Sequence, residues 1–253
     1  MSRVTPIRPW FVTRLILRAE ALHAPLSVRR DRGSLARVPE GVKIPSPTVS
    51  EKSASAVLSP LDRWLPDLEA LYKDLHAHPE LSMQETRTAQ VAAERLRKDG
   101  YEVTVGVGKT GVVGLLKNGP GSAVMLRADM DALPIEEATG LPYASKVTAK
   151  DGAGKTVPVA HMCGHDMHVA WLAGAASLLA AERGAWHGTL IVVFQPGEET
   201  AQGARAMIDD DLFKRFLRPD VVLGQHVMVG RAGDVAGSDR LAQVARERVG
   251  QDP

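Results

Sequence analysis

The chain's only cysteine, three of its eight histidines and one aspartate fall in a single stretch, His161-Met162-Cys163-Gly164-His165-Asp166-Met167-His168. Thiolate and imidazole are the donors that zinc-like cations prefer. Buried His and Cys are costly without partners, so this density predicts half of a metal site. Cys163 and His165 can supply two ligands from one turn, and the remainder must come from elsewhere. Asp129 and Asp131, Glu198 and Glu199, and His226 are the candidates. Plainer readings stand beside these: Cys163 as a buried core thiol, Glu198 and Glu199 as solvated loop carboxylates, and Asp166 as an acid favouring a helix amino end. His161 and His168 are read as residues that orient or pack against ligands. His76 and His78 are read as helix-terminal histidines on the last carbonyls, and His187 as a surface residue.

The elements that must position these groups can be read from hydrophobic pattern. Three buried strands run into the acidic and histidine candidates: Ser122 to Arg127 into Asp129 and Asp131, Thr189 to Phe194 into Glu198 and Glu199, and Val221 to Gly224 into His226. Working sites of open α/β sheets lie beyond the carboxyl ends of strands, so the three ends converge with a Cys/His pair that opens a helix. That helix, His165 to about Glu182, is mostly apolar. Its amino end is expected to favour Cys163 as thiolate. Upstream, Ser59-Pro60 is expected to start the ordered region with a capped helix carrying Leu61, Trp64, Leu65, Leu68, Leu71, Tyr72 and Leu75 at helical spacing. Ser82-Met83-Gln84-Glu85 has capping-box spacing for a second helix that stops at Gly100. Strands are expected near 101–105 and 111–117, irregular loops over the site at 132–160, and a short helix at about 201–209. The alternating order predicts an α/β fold, a mixed sheet flanked by helices.

A hydrophobic content of 44% in 253 residues supports a substantial core, and a net charge of +1 gives no polyelectrolyte bias toward nucleic acid or membrane. No run approaches the roughly 18 apolar residues of a membrane span. One cysteine excludes an internal disulfide. Residues 1–58 read as a basic, disordered extension. Its Arg-rich, acid-poor start also permits an organelle-targeting reading, and cytoplasmic is the default placement.

Four motifs, RADMDALP (127–134), HMCGHD (161–166), QPGEE (195–199) and GQHV (224–227), with HPELS (78–82) ahead of them, occur in the order and spacing of one family. Over about Leu61 to Val229 the chain resembles the dinuclear-metal aminoacylase and carboxypeptidase superfamily, in its amidohydrolase branch of hippurate hydrolases and indole-acetyl amino acid hydrolases. The resemblance implies Cys163, His165, Glu199 and His226 as metal ligands, with Cys163 a bridge between two divalent ions, Mn or Zn. It implies Glu198 as general base and Asp131 as the aspartate that orients a ligating group. Asp129 stands where other branches carry a ligating histidine. It further implies a small-molecule N-acyl amino acid or peptide-like substrate, and a homodimer only where a lid domain is present. After His226 the sequence has no histidine, and from about Gly230 the likeness ends. The chain is therefore read as an incomplete catalytic domain, 59–229, without its lid and with a divergent tail at 230–253.

Three functions compete on this reading. The first is a metal-dependent amidohydrolase impaired by truncation. The second is an inactive remnant that binds one divalent ion or serves as an interaction module. The third is a cysteine hydrolase using Cys163 and His165, although residues two apart at a helix entry are poorly placed for that pair.

Overall fold

The computed structural model describes residues 51–228. The basic segment 1–50 and the expected divergent tail from 230 lie outside the described residues. The helices are α1 (Glu51–Leu58), α2 (Leu61–Ala77), α3 (Thr86–Lys98), α4 (His165–Ala181), α5 (Gly203–Asp209) and α6 (Leu212–Arg215). The strands are β1 (Glu102–Val107), β2 (Gly111–Asn118), β3 (Ala123–Asp129), β4 (Thr148–Lys150), β5 (Thr156–Pro158), β6 (Gly188–Gln195) and β7 (Val221–Gly224).

Five strands form one mixed sheet in the order β1-β2-β6-β3-β7. β2 pairs antiparallel with β1 and β6, whereas β3 runs parallel to both β6 and β7. The β3 to β6 connection carries α4, as a parallel pair requires a crossover. Register then fixes the site: Asp129 lies opposite Gln195, and Arg127 opposite Gly224. β3 and β6 end level and β7 two residues earlier, so the three ends open onto the same end of the sheet, where the sequence reading places them.

Strand side chains alternate faces, and here both faces are covered. Even-numbered Val112, Leu116, Leu126, Ala128, Leu190, Val192 and Phe194 enter a core with α2, α3 and α4. Odd-numbered Val113, Ala123, Met125, Ile191 and Val193 pack under α5 and α6 with Met207 and Leu212. This explains why β3 and β6 read as continuous apolar runs rather than alternating ones. α4 is buried around most of its circumference, from His165 to Leu178, because it is wedged between the sheet and α2.

Several sequence expectations are corrected. Order within the described residues begins with α1, ahead of Ser59, and Val57 is buried against Leu61 and Leu178. The Ser59 hydroxyl bonds back to the Ala56 carbonyl at 3.0 Å instead of capping α2, whose N-cap is Pro60. The segment 132–160 is not wholly irregular, since β4 and β5 pair as a hairpin. Ser82-Met83-Gln84-Glu85 forms no capping box. The Glu80 carboxylate instead takes the amides of Arg87 and Thr88 at 2.9 and 2.8 Å, which satisfies the start of α3. No helix among the described residues is long and apolar enough to cross a membrane.

Candidate metal centre

His165 opens α4 and is fully buried. Its Nδ1 donates to the Asp131 backbone carbonyl at 2.8 Å and lies 3.3 Å from Asp131 Oδ1. That contact sets the tautomer and aims Nε2 forward. Nε2 has no hydrogen-bond partner, and it sits 3.8 Å from each of Asp129 Oδ1, Glu198 Oε2 and Glu199 Oε1. Glu199 Oε1 is likewise buried and unpartnered. Buried polar atoms are nearly always satisfied. Two orphans facing each other at a distance too long for a hydrogen bond are what a cation between them would explain.

The other candidates join at the same point. Donor atoms of Cys163, His165 and His226 all lie within 4.8 Å of one another, as do those of His165, Glu198 and Glu199, and those of Asp129, His165 and His168. Cys163 Sγ is 3.4 Å from His226 Nε2. All four predicted ligands and Glu198 are therefore brought together, with His165 common to the clusters, and Asp131 joins them through its contacts to His165 and to the Glu198 and Glu199 amides. The two glutamates differ in access: the Glu198 side chain is 40% exposed, Glu199 only 18%. Glu199 is thus the better placed to face inward and Glu198 to meet solvent.

Asp131 is the organiser. Its Oδ1 accepts the Glu198 amide at 3.0 Å, and its Oδ2 accepts the Glu199 amide at 2.9 Å and the Ser82 hydroxyl at 2.5 Å. Burial opposes its charge, but the hydrogen bonds from His165, Ser82 and the two amides outweigh that and lower its pKa. On His165 burial again opposes charge, and Asp131, Asp129 and Glu199 outweigh it to raise the pKa.

Asp129 is no solvent-facing ligand. It is fully buried, held by Arg127 at 2.8 Å and by His168 Nδ1 at 2.5 Å. Despite burial, His168, Arg127 and His165 hold its carboxyl well below the usual range. His168 Nε2 in turn accepts the Val227 amide at 2.9 Å. The expectation that His168 orients rather than ligates fits this geometry, because it fastens the residue next to His226. His161 is buried, but both ring nitrogens lack a partner, and burial pushes its pKa down to about 4.

Two further expectations are overturned. His76 does not serve the last carbonyls of α2; it bridges Asp166 at 2.7 Å and Glu137 at 3.0 Å. His78 does take the carbonyl role, on Asp74 at 2.7 Å, and His187 is exposed. Cys163 is not favoured as thiolate by the protein alone. Burial and the nearby Glu199, Glu198 and Asp129 charges push the thiol up to about 11, outweighing the end of α4. That also removes the ground for a cysteine nucleophile.

The family comparison agrees with this arrangement. The model of peptidase family M20/M25/M40 matches residues 125–238. Hippurate hydrolase of Campylobacter jejuni is 45% identical over 163 residues, 64% of this chain and 39% of that protein. The chain belongs to the M20 family. Within it, an N-acetyl-L-cysteine deacetylase of Bacillus subtilis is 38% identical over 207 residues, 80% of this chain and 46% of the relative. The solved M20 structure of a Bacillus subtilis protein described as a dinuclear metal-binding peptidase superposes with a TM-score of 0.58 at 36% identity, covering 65% of this chain and 44% of that one. These likenesses place the chain in the amidohydrolase branch, and it spans less than half the length of each of these relatives.

The residues that sequence reasoning missed are those holding the site from behind. Ser82 and Glu85 have the spacing of a capping box, and nothing in that spacing separates it from what they do. Arg127 stands in the sequence as one residue of the 127–134 motif with no role of its own, yet its guanidinium joins Gln195 at 3.0 Å to Asp129.

Proposed function

We propose that the chain is a metal-dependent amidohydrolase acting on the acyl amide of N-acyl amino acids. Cys163, His165, Glu199 and His226 hold two divalent ions, Mn or Zn, in this reading. The observation that carries it is the pair of buried, unpartnered atoms His165 Nε2 and Glu199 Oε1, with the Cys163 and His226 donors beside them. The mixed thiol, imidazole and carboxylate set suits zinc, while imidazole and carboxylate also accept manganese. Relatives named for hippurate and for N-acetyl-L-cysteine support the acyl amino acid class.

Divalent ions, when bound, polarise an amide carbonyl and acidify water. The protein's own part is proton handling and placement. Glu198, the more exposed of the pair, removes the proton from the attacking water and returns it to the departing amine. Asp131 holds His165 and the 198–199 backbone so that Glu198 and Glu199 point their separate ways.

The test is metal content per chain together with hydrolysis of hippurate and N-acetylcysteine. Glu198→Gln should keep its metal and lose about 10²- to 10⁴-fold in kcat, whereas Glu199→Gln should lose metal. Full hydrolysis after exhaustive chelation would overturn the reading. Metal near one ion per chain with no turnover would select the inactive, ion-binding alternative instead.

A further inference from the structure

The turn that carries Glu198 and Glu199 is gripped by two buried carboxylates, and only one of them, Asp131, belongs to the site described above. The second is Glu85, which is fully buried at the start of α3. Its Oε1 accepts the Gly197 amide at 2.8 Å and the Met83 amide at 2.8 Å, and its Oε2 accepts the Thr110 hydroxyl at 2.5 Å. Asp131 takes the next two amides, of Glu198 and Glu199. Three consecutive N–H groups of the turn are thus fixed by two carboxylates. The Ser82 hydroxyl completes the arrangement on Asp131.

Local needs do not account for Glu85. The start of α3 already has its cap in Glu80, and burying a carboxylate completely is expensive unless its hydrogen bonds offset the lost water. Here those bonds reach across 112 residues to Gly197 and 25 to Thr110. The backbone is also bent to allow it. Met83 has φ +64°, Gly197 has φ +52°, and a Cβ on Gly197 would sit 2.6 Å from Met83 Sδ. The segment from Ser82 to Glu85 is therefore pressed onto the turn at both its backbone and its side chains.

We propose that Glu85, assisted by Thr110 and Ser82, is a positioning residue for the Glu198 and Glu199 pair, fixing the turn so that Glu199 faces His165 while Glu198 stays open to solvent. The inference rests on the metal reading above and extends it to a residue that touches neither ion nor substrate. Supporting groups of this kind are worth about 10- to 100-fold in metal affinity when removed.

The experiment is Co(II) titration of the chelated 253-residue chain, read by the visible d–d bands, with thermal unfolding measured alongside. Glu85→Ala should weaken Co(II) binding by about 10- to 100-fold and shift the bands. Glu85→Gln should remain close to wild type, because its amide oxygen can accept both backbone amides while its nitrogen donates to Thr110. Leu96→Ala, a buried change elsewhere on α3, should lower the unfolding temperature and leave the bands and affinity unchanged. Thr110→Val is the milder probe should Glu85→Ala fail to fold, and it should weaken binding severalfold with the same band shift. Wild-type affinity and bands in Glu85→Ala, or in Thr110→Val if that is the variant that folds, would overturn the proposal, as would an equal loss in Leu96→Ala. A wild-type chain that binds no Co(II) would overturn the metal reading itself, and this inference with it.

Discussion

His76 gives the sharpest quantitative test of how α2 is fastened to the helix that bears His165. Its ring lies between two carboxylates, Asp166 at 2.7 Å and Glu137 at 3.0 Å, and only 6% of the side chain is exposed. The hydrogen bond to Asp166, helped by Glu137 and opposed by burial, raises its pKa from 6.5 to about 9. A raised histidine stabilises the fold fully below the unfolded pKa, and that stability is lost as pH climbs to the folded one. At about 1.36 kcal/mol per unit, the full contribution is about 3 kcal/mol as an upper bound, with about 2 kcal/mol left at pH 7.5 and almost none at pH 9.5. Replacing the ring by His76→Leu takes the shared cation from Asp166 and Glu137, which keep only the Met167 amide and the Thr139 hydroxyl and Ser145 amide respectively, and should cost about 3–5 kcal/mol at pH 6, a large share of the roughly 5–15 kcal/mol of a typical domain. Urea unfolding of both proteins, chelated to remove linkage from bound cations, measures the difference at pH 6, 7.5, 8.5 and 9.5. Ionisation of the Cys163 thiol in the unfolded chain also lowers stability at the alkaline end, but it affects both proteins and cancels. The difference should shrink by about 3 kcal/mol between pH 6 and 9.5. A difference that stays constant across that range refutes a charged His76 between Asp166 and Glu137.

Two other perturbations probe the site itself. In chelated protein at pH 8, Cys163 with its pKa near 11 is only ~0.1% thiolate, against about a quarter for an ordinary thiol, so iodoacetamide should label it about 200-fold more slowly than glutathione. Labelling as fast as glutathione would contradict the protonated thiol and restore the nucleophile reading. Gly203→Ala places a Cβ 1.5 Å from the Pro196 carbonyl oxygen, backbone against backbone, so the turn must move. The expected loss is about 1–3 kcal/mol or more in urea unfolding, accompanied by weakened Co(II) binding. Unchanged Co(II) affinity would show that the Glu198 and Glu199 turn tolerates the shift.

What could be read from the chain was whatever depends on local pattern and on the carboxyl edge of a parallel sheet. β3, β6 and β7 declare themselves as apolar runs, and each leads directly into a polar donor, so the meeting of Asp131, Glu199 and His226 follows once the strands are parallel. The Cys163 and His165 pair is visible because such residues rarely cluster without a purpose. The supporting contacts were not legible, because each joins residues far apart in sequence whose types suit a commoner local role. Ser82 and Glu85 have the spacing of a helix cap, and His76 sits where helix-terminal histidines bind carbonyls. Only the packed structure shows that Glu80 caps α3 and so frees Glu85 for Gly197, or that Asp166 lies within 2.7 Å of His76. The same holds for Cys163: the end of α4 argues for a thiolate, yet three carboxylates brought in by β3 and the turn after β6 reverse the sign. An excess of negative charge around a protonated thiol and an unpartnered imidazole nitrogen is an unbalanced arrangement for the protein alone. A bound cation would both satisfy the nitrogen and draw the proton from the sulfur, and metal uptake should therefore release protons from the chelated chain.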